Sequence, residues 1–248
     1  MPLPRIGVLV PSTNTTVEAD FQRVLSGCAT VHAERLFIPD GTMTAEFLDE
    51  MNRDLDSKVR SLHSARVDVM VYACTSGSFY KGPAWDDAVI NTIERIAGIP
   101  AITTSQAVKL ALDTVNAKTL SVITPYPEWT NHKLLDYYSA SGFDIVSIAG
   151  DVRAAEHGHR CINDQEPAEI ADFARDHIAP EADALFCSCT AWRTFEVSAA
   201  LEKECARPVI TSNQATIWQA LTLANVLETL PDHALQQFGM LAHARPTH

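Results

Sequence analysis

Six continuous apolar runs punctuate the chain, and each ends in a polar loop: RIGVLVPSTNTTVE (5–18), VDVMVYACTSG (67–77), PAITTSQA (100–107), TLSVITPYPEW (119–129), ADALFCSCTAW (182–192) and PVITSNQATIW (208–218). Between them lie stretches with helical spacing of apolar positions, over 46–64, 84–97, 130–141, 167–179 and 195–206. Runs without alternation mark strands covered on both faces, and their interleaving with amphipathic helices predicts an α/β fold with parallel sheets.

The runs fall into two matching series. IPAITTSQA resembles RPVITSNQA, DVMVYACTS resembles DALFCSCTA, and VLVPSTNTT echoes VITPYPEWT. Pro125 follows Pro11, Cys189 follows Cys74 and Pro208 follows Pro100 at a spacing of roughly 110 residues, far longer than a solenoid repeat. The pattern predicts an internal duplication: two pseudo-symmetric lobes, each a parallel sheet flanked by helices, with the active site in the cleft between them. Residues 1–115 plus 215–248 are expected to form the first lobe and 116–214 the second. Ligands of open parallel sheets bind beyond the carboxyl ends of the strands, where loops present N–H groups and helix N-termini. Lobes that face each other would therefore set Cys74 and Cys189 on opposite walls of one cleft.

Composition narrows the partners. A net charge of −12 argues against binding nucleic acid or an anionic membrane and leaves small-molecule chemistry. No run reaches ~18 apolar residues, and the opening MPLPRIGVLVPSTN is broken at Pro11, so the expectation is a cytoplasmic protein. Its six cysteines are then expected to be free thiols. There is no C-x-x-C, and the nine histidines lack zinc spacing, so no metal is expected.

A thiol near a helix N-terminus is acidified, and its thiolate is a strong base and nucleophile. Two such thiols on opposite sides of a small substrate suit racemisation or cis-trans isomerisation, because one removes a proton or adds to carbon while the other donates or accepts. Ser12, Thr13 and Asn14 after the first run, Thr75 and Ser76 after Cys74, and Thr190 after Cys189 offer donors for a carboxylate and for an enediolate formed from it. Tyr126 adds a phenol on the matching loop. Plainer readings stand beside these. A buried cysteine is commonly core filler, Asn14 also suits a helix cap, Tyr126 suits a rigid turn between two prolines, and His157 and His159 suit solvated loop positions. Cys28, Cys161, Cys187 and Cys205 have no counterpart at a paired position.

The segments VPSTNTTVEADF, YACTSGSFYKG, VITPYPEW, LFCSCTAWRT and PVITSNQA resemble the motifs of the maleate cis-trans isomerase and arylmalonate decarboxylase group of the aspartate/glutamate racemase superfamily. The resemblance runs from about residue 5 to 222 and implies an enzyme of two similar lobes that needs no cofactor. It implies Asn14 as a carboxylate ligand, Cys189 as the cysteine shared across the group, Tyr126 as the family tyrosine, and Cys74 where the decarboxylases have glycine. In the isomerase reading, the Cys74 thiolate adds to an alkene carbon of a maleate-like diacid and Cys189 handles the proton. In the racemase reading, the two thiols are paired bases. A homodimer is compatible with the resemblance. One departure concerns a further asparagine of the maleate isomerases, which has no match in GDVRAAEHGHRCINDQEPAEI, where His159 and Asn163 are the candidates. Two alternatives stay open: decarboxylation of a substituted malonate with Cys189 as proton donor, and a protein that binds a carboxylate without turning it over.

Overall fold

The computed structural model describes residues 2–25, 27–39, 43–151, 153 and 159–243. Eight strands form two four-stranded parallel sheets. The first holds β1 (Arg5–Pro11), β2 (Thr30–Leu36), β3 (Val69–Tyr72) and β4 (Ala101–Thr103) in the order β2-β1-β3-β4. The second holds β5 (Thr119–Thr124), β6 (Asp144–Gly150), β7 (Ala184–Cys187) and β8 (Val209–Thr211) in the order β6-β5-β7-β8. The identical order is the duplication written in topology. It also fixes where the chemistry belongs. In each sheet the order reverses direction between the first and third strands, and a crevice opens there at the carboxyl ends. The loops after β1 and β3 carry Asn14 and Cys74, and those after β5 and β7 carry Tyr126 and Cys189.

The helices that frame the site are α1 (Thr16–Leu25), α2 (Ala45–Asn52), α3 (Leu55–Ser64), α4 (Thr75–Phe79), α5 (Pro83–Ala97), α6 (Thr104–Thr114) and α7 (Glu128–Ala140). They are followed by α8 (Pro167–His177), α9 (Ser198–Cys205) and α10 (Ser212–Leu223). Helices α6 and α10, which follow the fourth strand of each sheet, pack on each other and join the two halves. The last described segment, Gln236–His243, packs against α9.

Three differences from the sequence reading have physical causes. Strands β2 (TVHAERL) and β6 (DIVSIAG) were not expected, because they are edge strands, partly exposed, and lack the continuous apolar run of a central strand. The stretch 46–64 is two helices, broken at Asp54, where the backbone leaves helical geometry (φ −102°, ψ 18°). Asn52, at the end of α2, donates to the Leu48 carbonyl (2.8 Å) and accepts the Tyr72 hydroxyl (2.8 Å), which ties this end of α2 to β3. Finally, the run 208–218 is a short strand followed by a helix. From Ser212 to Leu221 every residue of α10 is buried, so it shows no polar face by which to be told from a strand. Among the described residues no helix is long and apolar enough to cross a membrane, and no cluster of His, Cys, Asp and Glu is arranged to hold a metal ion.

Candidate active site

The loops from the two sheets close on a cavity of about 50 Å³ lined by both Cys74 and Cys189. Thr13, Asn14, Thr75, Ser76, Tyr126 and Thr190 also line it, so eight of the nine residues singled out in the sequence meet here. The ninth, Ser12, does not line the cavity. Its hydroxyl accepts the Ile38 N–H (2.9 Å) and thereby fixes one wall residue. The wall supplied by Ile38, Met43, Phe47, Leu48 and Met51 is apolar, and sequence reading missed it because these residues come from α2 and the loop before it rather than from any motif.

The two thiols are held differently. Cys74 is extended (φ −142°) at the N-cap of α4, and its Sγ accepts the Gly77 N–H (3.4 Å) with the Ser76 hydroxyl 3.8 Å away. A Cβ at position 77 would press on the Tyr72 hydroxyl and lie 2.8 Å from Met51 Cε and 3.0 Å from Cys74 Sγ, so these side-chain ends, the thiol among them, would have to shift. Cys189 instead has φ +134°, a region that costs a residue with a Cβ about 1–3 kcal/mol. Its N–H donates to the Ser212 hydroxyl oxygen (3.0 Å).

Burial pushes both thiols up. For Cys74 the Gly77 N–H and the Ser76 hydroxyl work against that rise. Cys189 is pushed up to about 12 by burial and, secondarily, by Cys74, although the nearby Ala191 N–H and Tyr126 hydroxyl oppose the shift. Tyr126 senses both thiols, and burial keeps its phenol well above the usual range. Its ring is set edge-on against Phe79 of α4, with centroids 6.1 Å apart.

Hydrogen bonds lace the two halves together around the cavity. Asn14 caps its helix, one of the two roles its sequence context suggested, and also reaches across the cleft. Its Oδ1 caps α1 by accepting the N–H groups of Thr16 (2.9 Å) and Val17 (3.1 Å), while its Nδ2 donates across the cleft to Thr190 Oγ1 (3.0 Å). Thr190 in turn donates to the carbonyl of Ala73, the residue before Cys74 (3.2 Å). Asn213 Nδ2 donates to the Thr190 carbonyl (2.9 Å) and to Asp20 (2.7 Å), whose carboxyl burial raises to about 6 against the opposing Arg23. Asn163, a candidate for the unmatched asparagine, grips the Asn14 loop: its Nδ2 donates to the Thr13 carbonyl and its Oδ1 accepts from Thr15 N–H, each at 3.1 Å. His157 and the side chain of His159 lie outside the described residues. Of the other thiols, Cys187 is enclosed in β7, and Cys28, Cys161 and Cys205 do not line the cavity. Ser212 and Asn213 went unnoticed in the sequence, although the doubled ITTSQA and ITSNQA pointed to this turn.

The sequence profile described as arylmalonate decarboxylase matches residues 6–234. Over 243 residues, 92% of this chain and 94% of the relative, the sequence is 24% identical to a maleate isomerase of Geobacillus stearothermophilus. It is 25% identical over 228 residues, 89% of this chain and 90% of the relative, to an arylmalonate decarboxylase of Bordetella bronchiseptica. The fold superimposes with a TM-score of 0.84, at 22% identity over 93% of this chain and 96% of the other, on a Nocardia farcinica maleate cis-trans isomerase, a cysteine-to-serine mutant with a covalently bound succinylcysteine intermediate.

Proposed function

The chain belongs to the arylmalonate decarboxylase family and is an enzyme, and on that premise we propose that it isomerises a small carboxylic acid through Cys74 and Cys189 without a cofactor. The observation that carries the reading is the pair of thiols, one from the loop after the third strand of each sheet, lining one cavity. Burial raises both and donors near each oppose the rise; in this reading Cys74 is the attacking thiolate, helped by the Gly77 N–H and the Ser76 hydroxyl, and Cys189, pushed up to about 12, is the proton carrier.

With a maleate-like diacid the steps balance. A C–S bond forms between Cys74 and one alkene carbon while the π electrons take the Cys189 proton at the other carbon. The former double bond rotates as a single bond. The Cys189 thiolate then withdraws a proton, the C–S bond breaks, and the trans product leaves both thiols as they began. Asn14 has an amide hydrogen beyond the one given to Thr190, and with Thr75, Ser76 and Thr190 it would hold a carboxylate and the charge that builds on it. Tyr126 would steady Cys189 while its sulfur is charged. On a substrate with a stereocentre next to the carboxylate, the same pair would exchange the α-proton from both faces. Maleate addition has a precedent in the succinylcysteine intermediate of the Nocardia farcinica enzyme.

A second reading, decarboxylation of a substituted malonate, is favoured by the apolar wall of Ile38, Met43, Phe47, Leu48 and Met51, which suits a hydrocarbon substituent better than a second carboxylate. There Cys189 protonates the enediolate left by loss of carbon dioxide, and Cys74 makes the product racemic. The test is peptide mass mapping of Cys189→Ser incubated with maleate. Loss of turnover with an adduct on the peptide that carries Cys74 is expected, and turnover near the wild-type rate would sink the isomerase reading. Stabilisation of the wild type by carboxylates, with no product from any of them, would instead mean a binding protein.

A further inference from the structure

We propose that Ser212 is a positioning residue that holds the Cys189 thiol opposite Cys74. The proposal rests on the two-thiol reading for its kinetic consequence, but its structural part stands on this site alone.

Ser212 Oγ receives two hydrogens, one from each wall. The Cys189 N–H donates to it at 3.0 Å, and so does the hydroxyl of Thr75, the residue after Cys74, also at 3.0 Å. One buried oxygen thus spans both thiol-bearing loops. The duplicated fold supplies its own control. Thr104 is the counterpart of Ser212 in the first half, at the same place in ITTSQA as Ser212 in ITSNQA. Its hydroxyl donates to the Tyr72 carbonyl (3.3 Å) and accepts from the Thr216 hydroxyl of α10 (3.1 Å), so it too meets the other half, but through these partners and not through the amide of Cys74. The corresponding thiol, Cys74, needs no such hold, because its backbone is extended at φ −142°. Only Cys189 stands at φ +134°, and it is the Cys189 amide that Ser212 binds. A strained backbone persists where its surroundings over-determine it. The Ser212 bond does this from one side, while the Asn213 side chain pulls on the next carbonyl, that of Thr190 (2.9 Å). Without the Ser212 acceptor, the Cys189 N–H is left buried and unpaired, and the peptide is free to rotate toward ordinary φ, which swings Sγ away from the cavity.

The experiment compares Ser212→Ala and Ser212→Thr with the wild type. Two readouts are taken: the pH-dependent rate of iodoacetamide alkylation at each cysteine, followed by peptide mass mapping, and steady-state kinetics with maleate or whichever acid the wild type turns over. Ser212→Ala is expected to shift the alkylation profile of Cys189 more than that of Cys74. It should also lower kcat by about tenfold or more with KM little changed, the mark of an interaction that serves the reaction more than binding. Ser212→Thr keeps the oxygen and is expected to restore both. An unchanged Cys189 profile in Ser212→Ala would overturn the proposal. So would equal losses in both variants that follow their melting temperatures, since that pattern is purely structural. The alkylation readout uses no substrate, so a wild type that turns over none of the acids would defeat the isomerase reading while leaving Ser212 decided by its effect on Cys189.

Discussion

The backbone at Cys189 stores strain that a pair of small substitutions can measure. Cys189→Gly and Cys189→Ala both remove the sulfur and whatever it touches, so they differ by a Cβ alone. Cys187, two residues earlier in the same run, is fully buried and is not among the positive-φ residues, so the same pair of substitutions there is the reference. At Cys187, glycine is expected to be worse than alanine by about 1–2 kcal/mol, from chain entropy of ~0.5–1 kcal/mol and one lost buried methyl of ~0.8 kcal/mol. At Cys189 the same losses are set against release of about 1–3 kcal/mol of strain at φ +134°. The glycine-minus-alanine difference should therefore be more favourable at 189 than at 187 by about 2 kcal/mol. For a chain of this size that is roughly 4–8 °C in melting temperature. Thermal and urea unfolding of the four variants, in one reducing buffer, give the comparison. If glycine costs as much relative to alanine at 189 as at 187, Cys189 is not strained, and the need for a residue to hold it disappears.

Other substitutions test the rest of the site. Gly77→Ala drives a Cβ against Tyr72, Met51 and Cys74 Sγ, and is expected to cost about 1–3 kcal/mol of stability in a melt and to reduce kcat further by displacing the thiol. Asn14→Ala is expected to lose about 1 kcal/mol as a missing cap. Asn14→Asp keeps the cap but sets a negative charge beside the substrate, so its melting temperature should stay nearer the wild type while KM rises; an unchanged KM would make Asn14 a cap only. Asp86 is buried under the Tyr137 hydroxyl (2.6 Å), and burial raises its carboxyl from 3.8 to about 6. Its folded form holds the proton more tightly than the unfolded chain does, so its contribution is full below pH ~3.8 and is lost as pH rises through about 6, at up to ~1.4 kcal/mol per pH unit. Asp86→Asn should lose less stability than the wild type between pH 4.5 and 6.5 in urea unfolding, and equal slopes would refute the assignment.

The sequence made the centre of this molecule more legible than its edges. The central strands are buried on both faces and spell out their apolar runs, so the loops after β1, β3, β5 and β7, with Asn14, Cys74, Tyr126 and Cys189, could be read directly. Edge strands β2 and β6 share their side chains with solvent and left no such trace. Helix α10 disappeared into an apolar run because it is buried on all sides. Ser12 looked like a ligand because it sits in the right loop, but which way a loop hydroxyl turns is decided by the chain that passes it, here Ile38. For Ser212 the doubled motif located the turn, but its contact follows from the backbone angle of Cys189, which sequence does not carry.

The central claim is that Cys74 and Cys189 act as a pair on one small acid. Proton NMR in deuterated buffer tests it most directly, with maleate, aspartate, glutamate and substituted malonates offered in turn to the wild type, Cys74→Ala and Cys189→Ala. The account expects fumarate from maleate, or deuterium at the carbon beside a carboxylate, with the wild type, and neither isomerisation nor exchange with either variant. Isomerisation or exchange at the wild-type rate in either variant would contradict it.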